Sequence, residues 1–151
     1  MSLPTIFILS LVGAVLAAII GTFWYSNATP MGKLHMRYLG FDKLSPEEQK
    51  RKIEEAKPTM WKSYLAQMAL SLLTAFSVVL IVMMSMVNGV KFVVALGFVI
   101  FNWFCFMVPI IGQGIIWGNC ERAIAWKKFF SDIASNLVTV IAIALLASYF
   151  V

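Results

Sequence analysis

The stretches Leu3–Phe23, Ser63–Val87 and Phe92–Ile116 contain no charged side chain at all. About 20 apolar residues, each rising 1.5 Å in a helix, cross the ~30 Å hydrocarbon layer of a bilayer. A fourth stretch, Phe129–Val151, carries one charge, Asp132, near its start. Backbone N–H and C=O groups in hydrocarbon must bond within the protein, and none of these stretches alternates with period two. They therefore read as helices rather than barrel strands. Composition agrees, at 61% hydrophobic, 13% charged and mean hydropathy +0.87. A soluble domain is about 45–50% apolar and about 25% charged. The expected fold is all-α: one membrane domain over residues 1–151, with spans 3–23, 63–87, 92–116 and 129–151 and a hydrophilic insert over 24–62.

Charge assigns sides to those spans. Eight cations lie in the insert: Lys33, Arg37, Lys43, Lys50, Arg51, Lys52, Lys57 and Lys62. The link after the second span holds Lys91, and the last link holds Arg122, Lys127 and Lys128. Basic loops stay in the cytoplasm, so the insert and last link are expected inside and both termini outside. The +5 charge then reflects orientation and contact with anionic lipid. Nucleic acid is not an expected partner, since Glu47, Glu48, Glu54 and Glu55 interleave with the cations. Ser26-Asn27-Ala28 resembles a signal-peptidase site, but no Lys or Arg precedes an apolar run that is long for a signal peptide. The stretch reads as a membrane exit, with Phe23, Trp24 and Tyr25 as headgroup-level anchors and Trp61, Tyr64, Trp117, Trp126, Phe129 and Phe130 at the same level.

Within the insert, Thr29-Pro30 is an N-cap followed by proline at the first helical position. Met31, Leu34, Tyr38 and Phe41 form one stripe opposite Lys33 and Arg37, and Gly40 suits the helix end. This predicts an amphipathic helix in the interface plane. Ser45-Pro46-Glu47-Glu48 is a capping box that opens a short, solvated helix, which Pro58 is expected to end.

In the spans, Gly13, Ala17 and Gly21 form a small-residue ridge of the kind through which membrane helices approach closely, within one chain or between two. Gln67, Ser71 and Thr74 share a face of the second span. Asn102, Cys105, Pro109 and Gln113 share one on the third, where Pro109 should kink the helix. Asp132, Ser135, Asn136 and Thr139 share one on the fourth. These faces predict a common polar interior, serving either interhelical hydrogen bonding or a path for a small solute or ion. Asp132 is the one intramembrane ionisable candidate, and Lys128 one turn earlier explains it as an interfacial ion pair. Cys105 and Cys120 lie about 22 Å apart along a helix, beyond disulfide reach. His35 has no second ligand at metal spacing, and the methionines at 83, 84 and 86 read as packing residues. With no catalytic motif in the chain, neither enzyme activity nor a metal or other cofactor is expected.

Gly21-x-x-Trp24-Tyr25-Ser26, then Gly32-Lys33 and Met36 before Gly40, resembles a family of small bacterial membrane proteins, domain of unknown function number 1761. The likeness continues through Trp117-Gly118, Glu121-Arg122 and Lys128-Phe129-Phe130. Two positions depart: Asn27 stands where proline often follows Trp-Tyr-Ser, and Asn136 where a histidine or polar aromatic is expected. The resemblance implies four inner-membrane helices with Trp24, Tyr25, Ser26, Gly32 and Lys33 as the signature, and no assigned activity. The expectation is a non-enzymatic membrane protein that self-associates or accompanies another membrane protein. The alternative is a small transporter or channel between the second, third and fourth spans.

Overall fold

The computed structural model describes residues 3–118 and 120–150; Val151, the end of the expected fourth span, lies outside the described residues with Met1, Ser2 and Asn119. The described chain is all-α. Helix α1 (Leu3–Trp24) turns into α2 (Pro30–Tyr38), and a 3-10 turn at Phe41–Lys43 leads to α3 (Pro46–Val87). Helix α4 (Phe92–Asn102) passes through a π-helical turn (Trp103–Met107) into α5 (Val108–Ile116), and α6 (Arg122–Ser148) follows. Four helices are long and apolar enough to cross a membrane: Leu3–Trp24, Pro46–Val87, Phe92–Ile116 and Arg122–Ser148.

Helices α3 and α6 pack together, with α1 on one side of the pair and the α4–α5 helix on the other. Small residues set that spacing. Ala75, Val79, Val82, Ile143 and Ala144 are fully buried. A Cβ on Gly13 would lie 3.0 Å from the Ala75 Cβ and 3.2 Å from Ile143 Cγ2, so the missing side chain at Gly13 lets α1 sit close to both α3 and α6. Ala17 packs against the same core, whereas a Cβ on Gly21 would meet open space. The ridge is thus used within the chain at its first two positions. Gly13→Val should cost about 1–3 kcal/mol of stability through overpacking, and Gly21→Val close to nothing. Thermal unfolding of both variants in mild detergent checks the contrast.

Three local features differ from expectation. The helix that Pro58 should end runs straight on, so that α3 is one helix of 42 residues. Proline removes one N–H and leaves one carbonyl without its donor. Residues 51–59 are all exposed, so that carbonyl is open to solvent, while the Thr59 hydroxyl donates to the Ala56 carbonyl at 3.0 Å. Second, α6 begins at Arg122 rather than Phe129, which places Lys127 and Lys128 on the helix instead of in a link. Packing of α2 against this first part of α6 supports the added turns. Third, a π-helical turn at Trp103–Met107, which the sequence does not announce, lies just before Pro109, a local change of register of the kind found where helices kink.

The expected capping chemistry is present. Ser45 Oγ accepts from the Glu48 N–H at 3.3 Å, and the Ser45 N–H donates to the Glu48 carboxylate at 2.8 Å. Gly40 has φ +75°, the left-handed conformation that ends α2.

Candidate functional site

Where α1 ends, its chain meets the start of α6. The Trp24 indole N–H donates to Ser131 Oγ at 3.1 Å, and the Tyr25 hydroxyl donates to Asp132 Oδ1 at 2.5 Å. One helical turn before Asp132, the Lys128 ammonium pairs with both of its carboxylate oxygens. The side chains of this pair are only 8% and 20% exposed. Water is therefore largely replaced by aromatic rings: the Lys128 Nζ lies 4.9 Å from the Tyr25 ring centroid and 5.7 Å from that of Tyr38. The His35 ring lies against Tyr25, centroids 5.3 Å apart. Two charges removed from water need both each other and further polar contacts to be tolerated. The Tyr25 hydroxyl and the two faces over Lys128 supply them.

The lid of this site is α2, and its seat is fixed by Thr29 and Gly32. Thr29 Oγ1 accepts from the Gly32 N–H at 3.0 Å and lies within donating distance of the Trp24 carbonyl, 2.7 Å, and the Ser26 carbonyl, 2.9 Å. Gly32 is buried against the Ser26 backbone, where any Cβ would collide with the Ser26 carbonyl. Ser26 Oγ accepts from the Ala28 N–H at 3.3 Å. Lys33 differs from the rest of the signature: its side chain is exposed, in a groove shared with Asn27, Arg37 and Gln49.

The site's electrostatics follow from this enclosure. Burial, reinforced by the hydrogen bond and charge of Asp132, pushes the Tyr25 hydroxyl well above its ordinary range, so it remains a donor. Burial, reinforced by the Lys128 charge and opposed by Asp132, holds His35 below its usual 6.5. His35 Nδ1 is buried and has no hydrogen-bond partner among the described residues. A lowered folded-state value means the unfolded chain binds the proton more readily, so His35's contribution is complete above the unfolded value and is lost as pH falls from there through the lower folded value. Limited proteolysis of residues 28–45 should accelerate as pH drops below about 6.5, and His35→Phe should flatten that dependence.

Most of the expected polar interior bonds to its own helix. The hydroxyls of Thr74 and Thr139 donate to Leu70 and Ser135 carbonyls at 3.1 and 2.8 Å, and the amides of Asn102 and Asn136 to Phe98 and Asp132 carbonyls at 2.9 Å each. Gln67 and Gln113 are exposed; Gln67 Nε2 reaches Ser71 Oγ at 3.4 Å, and Ser71 is buried. Thr74 and Asn102 do come together, with Ser77, on a groove of about 320 Å³ between α3, α4 and α6. Among the described residues, Asp132 alone of the eight bonds through its side chain to a distant part of the chain, at Tyr25. The expected Lys128–Asp132 ion pair is present, but it is enclosed; Ser131, His35 and Tyr38, which surround it, belong to no site expected from the sequence. The i,i+4 spacing of Lys128 and Asp132 was the available signal. Cys105 is exposed, and Cys120 Sγ lies 3.8 Å from the Tyr38 carbonyl.

The clamp is built from residues at both ends of the chain, and a family model matches across that whole distance, residues 8–148. The chain belongs to the DUF1761 family, proteins of unknown function. Within this DUF1761 member, Trp24, Tyr25, Ser26 and Gly32 together form the turn that closes over Lys128 and Asp132, while Lys33 stands outside it. Comparison with curated proteins and with solved structures finds no match.

Proposed function

We propose that this DUF1761 protein is a non-enzymatic four-helix bundle of the bacterial cytoplasmic membrane, with both termini outside, that acts by associating with itself or with another membrane protein. The supporting observation is α3. Its 42 residues span roughly 63 Å at 1.5 Å each, about twice the hydrocarbon thickness. Residues 51–59 and 61–70 are all exposed, among them Ile53, Trp61, Tyr64 and Leu65. Such a projecting arm offers mixed apolar and charged surface to a neighbour. The polar clamp, by contrast, is closed by its own bonds and offers little to a passing solute.

Orientation rests on the charges. Gln49 near the start of α3 donates to the Phe41 and Leu44 carbonyls and shares a groove with Asn27 and Lys33, and the end of α1 bonds to the start of α6. Lys50–Lys52 and Lys127–Lys128 therefore share one end, the one that basic side chains hold in the cytoplasm. Cys120 should react with an impermeant thiol reagent only after cells are opened; labelling in intact cells reverses the orientation.

The second reading is a small transporter, favoured by the groove that Thr74, Ser77 and Asn102 line. Beside that groove, Val79, Val82, Ile143 and Ala144 are fully buried, which interrupts a polar path. Native mass spectrometry from mild detergent should show more than one chain, or a second membrane protein, per particle. Single chains together with proteoliposome flux abolished by Asn136→Leu would overturn association in favour of transport.

A further inference from the structure

We propose that a second copy of the chain docks on the groove between α3, α4 and α6, centred on Asn102; this rests on the self-association reading above and adds a second surface to the α3 arm. Of the four long helices, Phe92–Ile116 is the least covered, with 11% of its most apolar window buried against 22–33% in the others. Its groove is lined by Leu73, Phe106 and Met107 as well as by Thr74, Ser77 and Asn102. The two hydroxyls give their hydrogens to carbonyls of their own helix, Leu70 at 3.1 Å and Leu73 at 3.0 Å. Asn102 Nδ2 likewise donates to the Phe98 carbonyl at 2.9 Å. The carboxamide keeps a carbonyl oxygen and a second N–H that no described residue meets.

Depth makes that unmet capacity costly. Asn102 is ten residues into its span, roughly 15 Å from the end at 1.5 Å per residue, near the bilayer midplane. Acyl chains there provide neither donor nor acceptor. A carboxamide carries one of each, so it is complementary to its own copy. All copies share one orientation in the membrane, so a two-fold axis between them runs along the membrane normal and brings equal depths together. Asn102 then faces Asn102 of the second copy, and each amide satisfies the other. Hydrogen bonding of this kind between polar residues is what joins helices where no hydrophobic force exists. Phe106, 63% exposed beside the groove, would enter the second copy's groove.

Disulfide trapping in native membranes tests this, in a chain carrying Cys105→Ser and Cys120→Ser. Phe106→Cys should oxidise to a covalent dimer with copper phenanthroline. Ile8→Cys, exposed on α1 across the α3–α6 pair, should not. Native mass spectrometry should show about tenfold less dimer for Asn102→Leu and near wild-type dimer for Asn102→Gln. An unchanged unfolding midpoint of the Leu variant shows that the fold is intact. A dimer that survives Asn102→Leu and crosslinks through Ile8→Cys would overturn this docking face while leaving association standing. A wild-type chain that is monomeric throughout overturns both, and a small polar molecule retained by the monomer would identify the groove's occupant instead.

Discussion

Replacing Asp132 by alanine should lower the free energy of unfolding by about 3–5 kcal/mol, because it leaves the Lys128 ammonium buried without a counter-charge. Lys128 has 8% of its side chain exposed, and the rings of Tyr25 and Tyr38 cover it. Those rings attract a cation, but such contacts contribute about 0.5–2 kcal/mol and do not replace a carboxylate. The loss should be larger than for Tyr25→Phe, which removes one hydrogen bond to Asp132 and costs about 1.5–3 kcal/mol. Removing both charges together is a different experiment. Lys128→Met with Asp132→Leu should recover most of the loss, since a buried ion pair exchanged for apolar side chains of similar volume is often neutral. Unfolding in mild detergent, followed by near-ultraviolet circular dichroism of the aromatic cluster, measures all three variants.

Gly32→Val should have an effect of comparable size by another route. At this position the obstacle to a side chain is the Ser26 carbonyl, part of the backbone that joins α1 to α2. A backbone obstacle cannot swing away as a side-chain tip does. The first turn of α2 has to lift, and with it go the Thr29 cap, the Tyr25–His35 contact and the Tyr38 ring over Lys128. The expected cost is about 3 kcal/mol, the upper part of the overpacking range. Protection of the backbone amides of residues 29–38 against hydrogen exchange should fall while that of α3 and α6 stays. Protection unchanged in residues 29–38 would show that α2 is not seated by Gly32.

The four long helices were legible because an apolar run of about twenty residues with at most one charge has few alternatives. The two insert helices were legible from Thr29-Pro30 and Ser45-Pro46, whose caps act within a few residues of sequence. What happens at Pro58 was not legible: proline's local penalty is the same everywhere, but whether it breaks a helix depends on what surrounds the freed carbonyl, here open solvent. The polar faces were found by spacing, yet spacing cannot tell which partner a hydroxyl chooses. Thr74, Thr139, Asn102 and Asn136 chose carbonyls one turn back on their own helices. The clamp itself was half visible. Trp24, Tyr25, Ser26 and Gly32 stood out as a pattern, and Lys128 and Asp132 as a pair one turn apart. Their union was hidden because the two contacts that make it, Trp24 to Ser131 and Tyr25 to Asp132, each span 107 residues, a distance at which neither periodicity nor capping carries information.

A double-mutant cycle over Tyr25→Phe and Asp132→Asn tests that union most directly, because it isolates the energy of one contact from the damage each change does alone. A coupling energy of about 1.5–3 kcal/mol, the range for a hydrogen bond to a charged group, is the predicted result. Additive effects, with coupling near zero, would mean that the signature turn and the start of α6 do not meet.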